Sequence, residues 1–268
     1  MPRELSFNVD IFGTSTSSTT ILKNISLKIK PGEKVAVCGG SGAGKTSFIM
    51  AILRMLDLRT GKITVSGADI TTVPRSLLRS TINVIPQEPL LLPGTFRFNV
   101  DPQCSASDDK IEYALRKVGL WNLVQLKGGL DAELEVQHWS VGQKQLFELA
   151  RAVVMQSPIL ILDEATSRYV DHSSRRKKNS NMLHGFCFAN LIVTVSMDWE
   201  TESTMQSVIE TEFAHQTVIA VIHRFRYIDR FDRVVLLKQG CLAENGDPTS
   251  LLAADSEFRK LYQAWKNE

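Results

Sequence analysis

Cysteine is scarce in this 268-residue sequence: Cys38, Cys104, Cys187 and Cys241 lie far apart, with no CxxC or Cys/His spacing among them. That excludes a zinc site of the usual kind and a disulfide framework, and fits a reducing, cytosolic setting. Excess charge of one sign is missing too, since 31 basic residues face 29 acidic ones for a net +2. No general field is available for gripping nucleic acid or an anionic membrane, so no nucleic-acid partner is expected. Long apolar runs are absent as well: nothing approaches the roughly 18–20 uninterrupted residues of a membrane-spanning helix, and the N-terminus MPRELSFNVD has no apolar stretch. The chain is therefore not expected to span a membrane by itself. Against these absences stand 43% hydrophobic and 22% charged residues, enough for a real core.

Strands are expected at 3–10 and 20–30, the second closed by Pro31-Gly32. A short buried strand, Lys34 to Cys38, then feeds a glycine-rich loop and a helix from Lys45 to Leu56 whose apolar residues recur at helical spacing. A turn at Arg59-Thr60-Gly61 precedes a strand from Lys62 to Val65. Residues 107–156 read as mostly helical, with Ser107 and Asp108 capping one helix and another running from about Val141 to Met155. Apolar strands return at Ile159–Leu162, Thr217–Ile222 and Arg233–Leu237. Strands of this parallel type, separated by helices, imply an α/β core with a buried sheet.

Gly39-Gly40-Ser41-Gly42-Ala43-Gly44-Lys45-Thr46 satisfies GxxxxGK[ST] between a strand and a helix. Glycines let successive backbone N–H groups turn toward phosphate oxygens, the helix N-terminus adds positive potential, Lys45 suits β and γ phosphates, and Thr46 suits Mg²⁺. The ligand this spells out is a nucleoside triphosphate with Mg²⁺. Ile159 to Leu162 ends in Asp163-Glu164. There Asp163 suits the metal through water and Glu164 suits activation of the attacking water, the division of labour that in-line phosphoryl transfer needs.

A third string, Trp139-Ser140-Val141-Gly142-Gln143, opens a helix between those two motifs. With it the sequence resembles the nucleotide-binding domain of an ABC transporter, whose LSGGQ signature stands at this place. The resemblance implies the P-loop NTPase fold of ABC ATPases: a mostly parallel core sheet, an antiparallel β subdomain, and a helical subdomain at about 88–156, in a single domain over 1–268. It implies that Ser140, Gly142 and Gln143 bind the γ-phosphate of ATP held by the opposite domain of a head-to-tail dimer. Gln87, in Ile85-Pro86-Gln87-Glu88-Pro89, matches the family's glutamine that senses Mg²⁺ and water; His223 matches its switch histidine; Phe12, with Phe7 as competitor, falls where an aromatic stacks on adenine.

Leu27-Lys28-Ile29-Lys30-Pro31-Gly32-Glu33-Lys34 and Pro93 to Pro102 are similar to the second nucleotide-binding domain of the C subfamily, the multidrug-resistance-associated class, in fungal-like form. That implies export driven by ATP hydrolysis, membrane domains as partners, and a place at the cytoplasmic face of a membrane. Glu164 fits the hydrolytic site of that subfamily, and Val141 in place of glycine fits its weaker one. The alternatives are a non-transport ABC ATPase and an inactive ATP-binding module.

One stretch departs from the family. The aspartate expected six positions after Glu164 is found at Asp198, 34 positions on, and Asp171 is out of register. Removing 28 residues so that Ser196 follows Ser167 restores DEATSSMDWETEST. The insert, about 168–196, therefore reads as a retained intron translated in frame, with a lineage-specific loop as the alternative.

Overall fold

The computed structural model describes residues 5–12, 20–163 and 199–267. Ten strands are described, β1 (Leu5–Phe12), β2 (Thr20–Ile29), β3 (Lys34–Cys38), β4 (Leu58–Val65), β5 (Ala68–Asp69), β6 (Ile82–Ile85), β7 (Ile159–Asp163), β8 (Thr217–Val221), β9 (Arg233–Lys238) and β10 (Cys241–Gly246). With them come the helices α1 (Lys45–Ile52), α2 (Arg75–Ser80), α3 (Phe96–Val100), α4 (Asp108–Lys117), α5 (Trp121–Leu126), α6 (Val141–Met155), α7 (Trp199–Glu212), α8 (Pro248–Ala253) and α9 (Glu257–Lys266). The strands form two sheets: an antiparallel one ordered β2-β1-β4-β5, and a six-stranded one ordered β10-β9-β3-β8-β7-β6. In the larger sheet every pairing is parallel except that of edge strand β10 with β9. Fold class thus matches the sequence expectation of a mostly parallel core with antiparallel strands added.

Alternation along the central strands divides the interior into two cores. Val35 and Val37 of β3, Ile159 and Ile161 of β7, and Ile219 and Val221 of β8 pack with α1 and the antiparallel sheet. Ala36 and Cys38, Leu160 and Leu162, and Val218 and Ala220 point the other way, toward α4, α6, α7 and α9. The second core is the aromatic one: Trp139 meets Phe147 edge-on with centroids 4.8 Å apart, and Phe96 lies 5.7 Å from Trp139 and 6.0 Å from Phe147. Such pairs add to the stabilisation from buried area alone. Burial in this core pushes the Cys38 thiol well above its ordinary range.

Lys34 fastens β3 to the end of α7. Its Nζ lies 3.0 Å from Phe213 O, 3.0 Å from Ala214 O, 2.5 Å from Gln216 O and 3.2 Å from Gly32 O. Three of these carbonyls follow directly on the C-terminal end of α7, where a cation also favours the helix dipole. Burial lowers the Lys34 pKa, with Asp232 acting against the shift.

Two boundaries differ from expectation. Helix α1 stops at Ile52 rather than Leu56, because Arg54 takes a left-handed conformation (φ 53°) while Arg54 N–H donates to Ala51 O and Met55 N–H to Met50 O. This is the paired C-terminal closure usually built on glycine, and an arginine in that role gives no signal in sequence. Arg59-Thr60-Gly61 lies within β4 rather than in a turn: Val9 pairs with Gly61, Asp10 with Thr60 and Ile11 with Leu58, so a bulge absorbs Arg59. Among the described residues no helix is long and apolar enough to cross a membrane.

Candidate functional site

Four neighbouring parallel strands, β3, β8, β7 and β6, end at one edge of the sheet, where ligands of open α/β sheets bind. β3 runs into the loop from Gly39 to Thr46. Asp163 closes β7 opposite Val221 of β8, and His223 follows two residues after Val221. Ile85 of β6 pairs with Leu162, which puts Gln87 just beyond the same edge.

Within the loop, Gly39, Gly42 and Gly44 have φ of 150°, 74° and 101°, values that residues with a Cβ rarely hold. Lys45 is buried, and its Nζ donates to Gly39 O at 2.8 Å and to Gly40 O at 3.1 Å. The ammonium is thus held over the loop by main-chain oxygens, while the exposed Ser41 and Thr46 face outward. Together with Ile21, Ser47 and the exposed His223, residues 41–46 line an open cleft. Gly240, between β9 and β10, supports the loop from below: its N–H donates to Ala43 O at 3.1 Å and its carbonyl accepts from Lys23 N–H at 2.8 Å. A Cβ at Gly240 would stand 1.9 Å from Ile21 O. In sequence this residue is marked only by an ordinary Lys238-Gln239-Gly240 hairpin, which carries no hint of the role.

Helix α6 begins in a reciprocal cap: Ser140 Oγ accepts from Gln143 N–H at 3.1 Å, and Gln143 Oε1 accepts from Ser140 N–H at 3.0 Å. Such a box satisfies two donors that the helix leaves open. Ser140 is exposed, whereas Gly142 is buried against α7, where a Cβ would lie 3.1 Å from Thr201. Of the residues singled out in sequence, the loop and His223 meet around the cleft. Asp163 and Gln87 sit at the same sheet edge without lining it, and Ser140, Gly142 and Gln143 stand apart from it at the start of α6. Phe12 ends β1, paired with Thr20, and its side chain lies outside the described residues, as does that of Phe7. Glu164, Asp171, Asp198 and the insert 168–196 also lie outside them.

Mg²⁺ takes hard oxygen donors, few of them from protein, and completes its shell with phosphate and water. Thr46 and Asp163 offer such donors. Among the described residues no three His, Cys, Asp or Glu side chains group as metal ligands. The donor set therefore fits a metal that arrives with a phosphate ligand.

A second, smaller cavity lies against α7 and β8 and is lined mainly by apolar residues such as Leu162, Ile209 and Ile222. It contains no residue of the phosphate loop.

Comparison with known proteins agrees with this geometry. A family model described as ABC transporter matches residues 22–167. "ABC multidrug transporter B" of Aspergillus fumigatus is 40% identical over 246 residues, covering 91% of this chain and 15% of that protein. "ATP-binding cassette sub-family C member 8" of Cricetus cricetus is 37% identical over 255 residues, covering 94% of this chain and 14% of that protein. The chain thus spans about one-seventh of the length of these curated relatives. Among solved structures, a bacterial Atm1-family ABC exporter with ATP bound superposes with a TM-score of 0.83 at 27% identity, over 100% of this chain and 43% of that one.

Proposed function

The chain belongs to the ABC transporter family, and on that premise we propose that it binds ATP and hydrolyses it to power export through membrane domains carried elsewhere. The observation that carries this reading is the buried Lys45 ammonium held over a glycine loop at the centre of a parallel sheet, with His223 across the cleft. Phosphates lie against the backbone amides of that loop, at the positive end of α1. Lys45 and His223 stabilise the transferring γ-phosphoryl group, and Glu164 takes a proton from the attacking water. The water oxygen bonds to the γ-phosphorus, the bond to the bridging oxygen breaks, and ADP and inorganic phosphate leave. Mg²⁺, when bound, would neutralise phosphate charge; Thr46, Asp163 and Gln87 are the residues that would hold it. Phe12 stacks on the adenine.

In this reading Ser140, Gly142 and Gln143 address the ATP of a second nucleotide-binding domain in a head-to-tail dimer. Membrane domains are the other partner, placing the chain at the cytoplasmic face of a membrane. The relatives' names as transporters support transport, and the ABC exporter on which the chain superposes supports export as its direction. About 28 codons from Arg168 onward are, in this reading, a retained intron translated in frame; transcripts carrying only the long form reject that. Binding of ATP with Mg²⁺ tests the core of the proposal: Lys45→Ala is expected to weaken it by roughly a hundredfold, since several phosphate contacts lose their cation. Equal binding by both chains sinks the reading. Glu164→Gln is expected to keep ATP bound and lower turnover by about a hundredfold or more.

A further inference from the structure

A carboxylate in the middle of α6 reaches a loop that is remote in sequence. Glu148 is 4% exposed; its Oε1 accepts from Leu90 N–H at 2.9 Å, and its Oε2 accepts from Arg151 Nη1 at 2.7 Å. Arg151 in turn donates from Nε to Asn99 O at 2.9 Å and from Nη2 toward Leu90 O at 3.4 Å. Both main-chain polar groups of Leu90 are therefore taken by side chains of one helix. Further along, buried Asn99 holds Leu92 from both sides: its Oδ1 accepts from Leu92 N–H at 2.8 Å and its Nδ2 donates to Leu92 O at 2.9 Å.

Burying a carboxylate costs free energy, and a paired one is a poor stabiliser compared with apolar packing. Glutamine would satisfy Leu90 N–H without a charge. What the charge adds is a hold on Arg151, whose planar fork then reaches one carbonyl of the loop, Leu90 O, and one of α3, Asn99 O.

Gln87 is three residues before Leu90 and two after Ile85, with Pro86 and Pro89 in the interval. Prolines fix φ and restrict the residue before them, so this stretch has little freedom between its attachment to the sheet and its attachment to α6. The start of α6, at Ser140, is eight residues from Glu148, about 12 Å along a straight helix.

We propose that Glu148, through Arg151, is a positioning residue that fixes the Gln87 loop to α6, so that Gln87 and the Ser140–Gln143 helix start move as one body. The proposal deepens the ATPase reading and rests on it. Substitution of Glu148 acts on turnover through Gln87 and not on ATP capture by the phosphate loop.

The test is steady-state ATP turnover of the full chain against Glu148→Gln, Gln87→Ala, the double variant, and Lys45→Ala as the floor. Glu148→Gln is expected to lower kcat about tenfold with KM for ATP within about twofold, because a misplaced group away from the phosphates costs rate more than binding. The double variant is expected to turn over no more slowly than Gln87→Ala alone, since residues acting through one another are non-additive. Multiplicative losses in the double variant overturn the proposal, as does a Glu148→Gln chain whose kcat is unchanged. A merely structural role predicts those multiplicative losses. Wild-type turnover at the Lys45→Ala floor defeats the ATPase reading and this proposal together; clear wild-type turnover with additive variants defeats this proposal alone.

Discussion

On the phosphate-loop side the cation rests on the carbonyls of Gly39 and Gly40, and Gly240 holds Ala43 through main chain. On the α6 side the fixing groups are side chains: Glu148, Arg151 and Asn99 secure the loop, and Trp139, Phe96 and Phe147 pack the helix start from within. A loop fixed by main chain tolerates change at exposed side chains but not at glycines. A helix fixed by side chains can be loosened one residue at a time without disturbing the first region.

The sharpest way to break that contrast is Trp139→Ala, which removes a ring buried between two others. A loss of about 4 kcal/mol in unfolding free energy is expected, the usual scale for an aromatic cavity, with nucleotide affinity of the still-folded fraction unchanged. Affinity falling in step with stability would show that the two regions are not separable. Gly240→Ala asks the converse. Its Cβ forces main chain to move beneath the loop, so an expected cost of roughly 2–3 kcal/mol comes with a marked loss of ATP binding, measured by denaturant unfolding and titration. Normal ATP binding by this variant would place the support of the loop elsewhere.

The smallest effect is expected at Arg97, which hydrogen-bonds Asp108 at the start of α4 and Asp131 beyond α5. Those bonds hold both carboxyls below the usual aspartate range. The unfolded chain therefore binds these protons first, so the pair stabilises the fold above the ordinary aspartate pKa, and that stabilisation disappears as pH falls through the lowered values. Both carboxylates are exposed, which screens the contribution. Thermal melts taken from neutral pH downward should show a slightly shallower acid decline for Arg97→Met than for wild type. An identical decline removes Arg97 from the account.

Much of the loop side was legible because its signals are local. The GxxxxGK[ST] spacing, the apolar strand before it and Ser140 with Gln143 three residues later each fit within one short window, and α6 was bounded at Val141 and Met155 as observed. The clamp was not legible, since Glu148 and Leu90 are 58 residues apart and an acidic residue amid Phe147, Leu149 and Ala150 looks like any amphipathic irregularity. Gly240 escaped for the same reason: its partners, Ala43 and Lys23, come from the opposite end of the chain. The helical spacing after Lys45 runs on to Leu56, but Arg54 closes α1 before that without the glycine that would mark the stop in sequence.

Lys34 has a bearing on the unusual spacing after Asp163. Thirty-five residues separate Asp163 from Trp199, yet the two points they join are each secured independently. β7 is zipped between β6 and β8, while α7 is pinned at its far end by that ammonium and seated near its beginning where Thr201 abuts Gly142. Extra length tied between two moored points adds only about 0.6 kcal/mol of closure entropy for each doubling. The scaffold around the nucleotide can thus carry a long interruption at this joint and still keep its own shape.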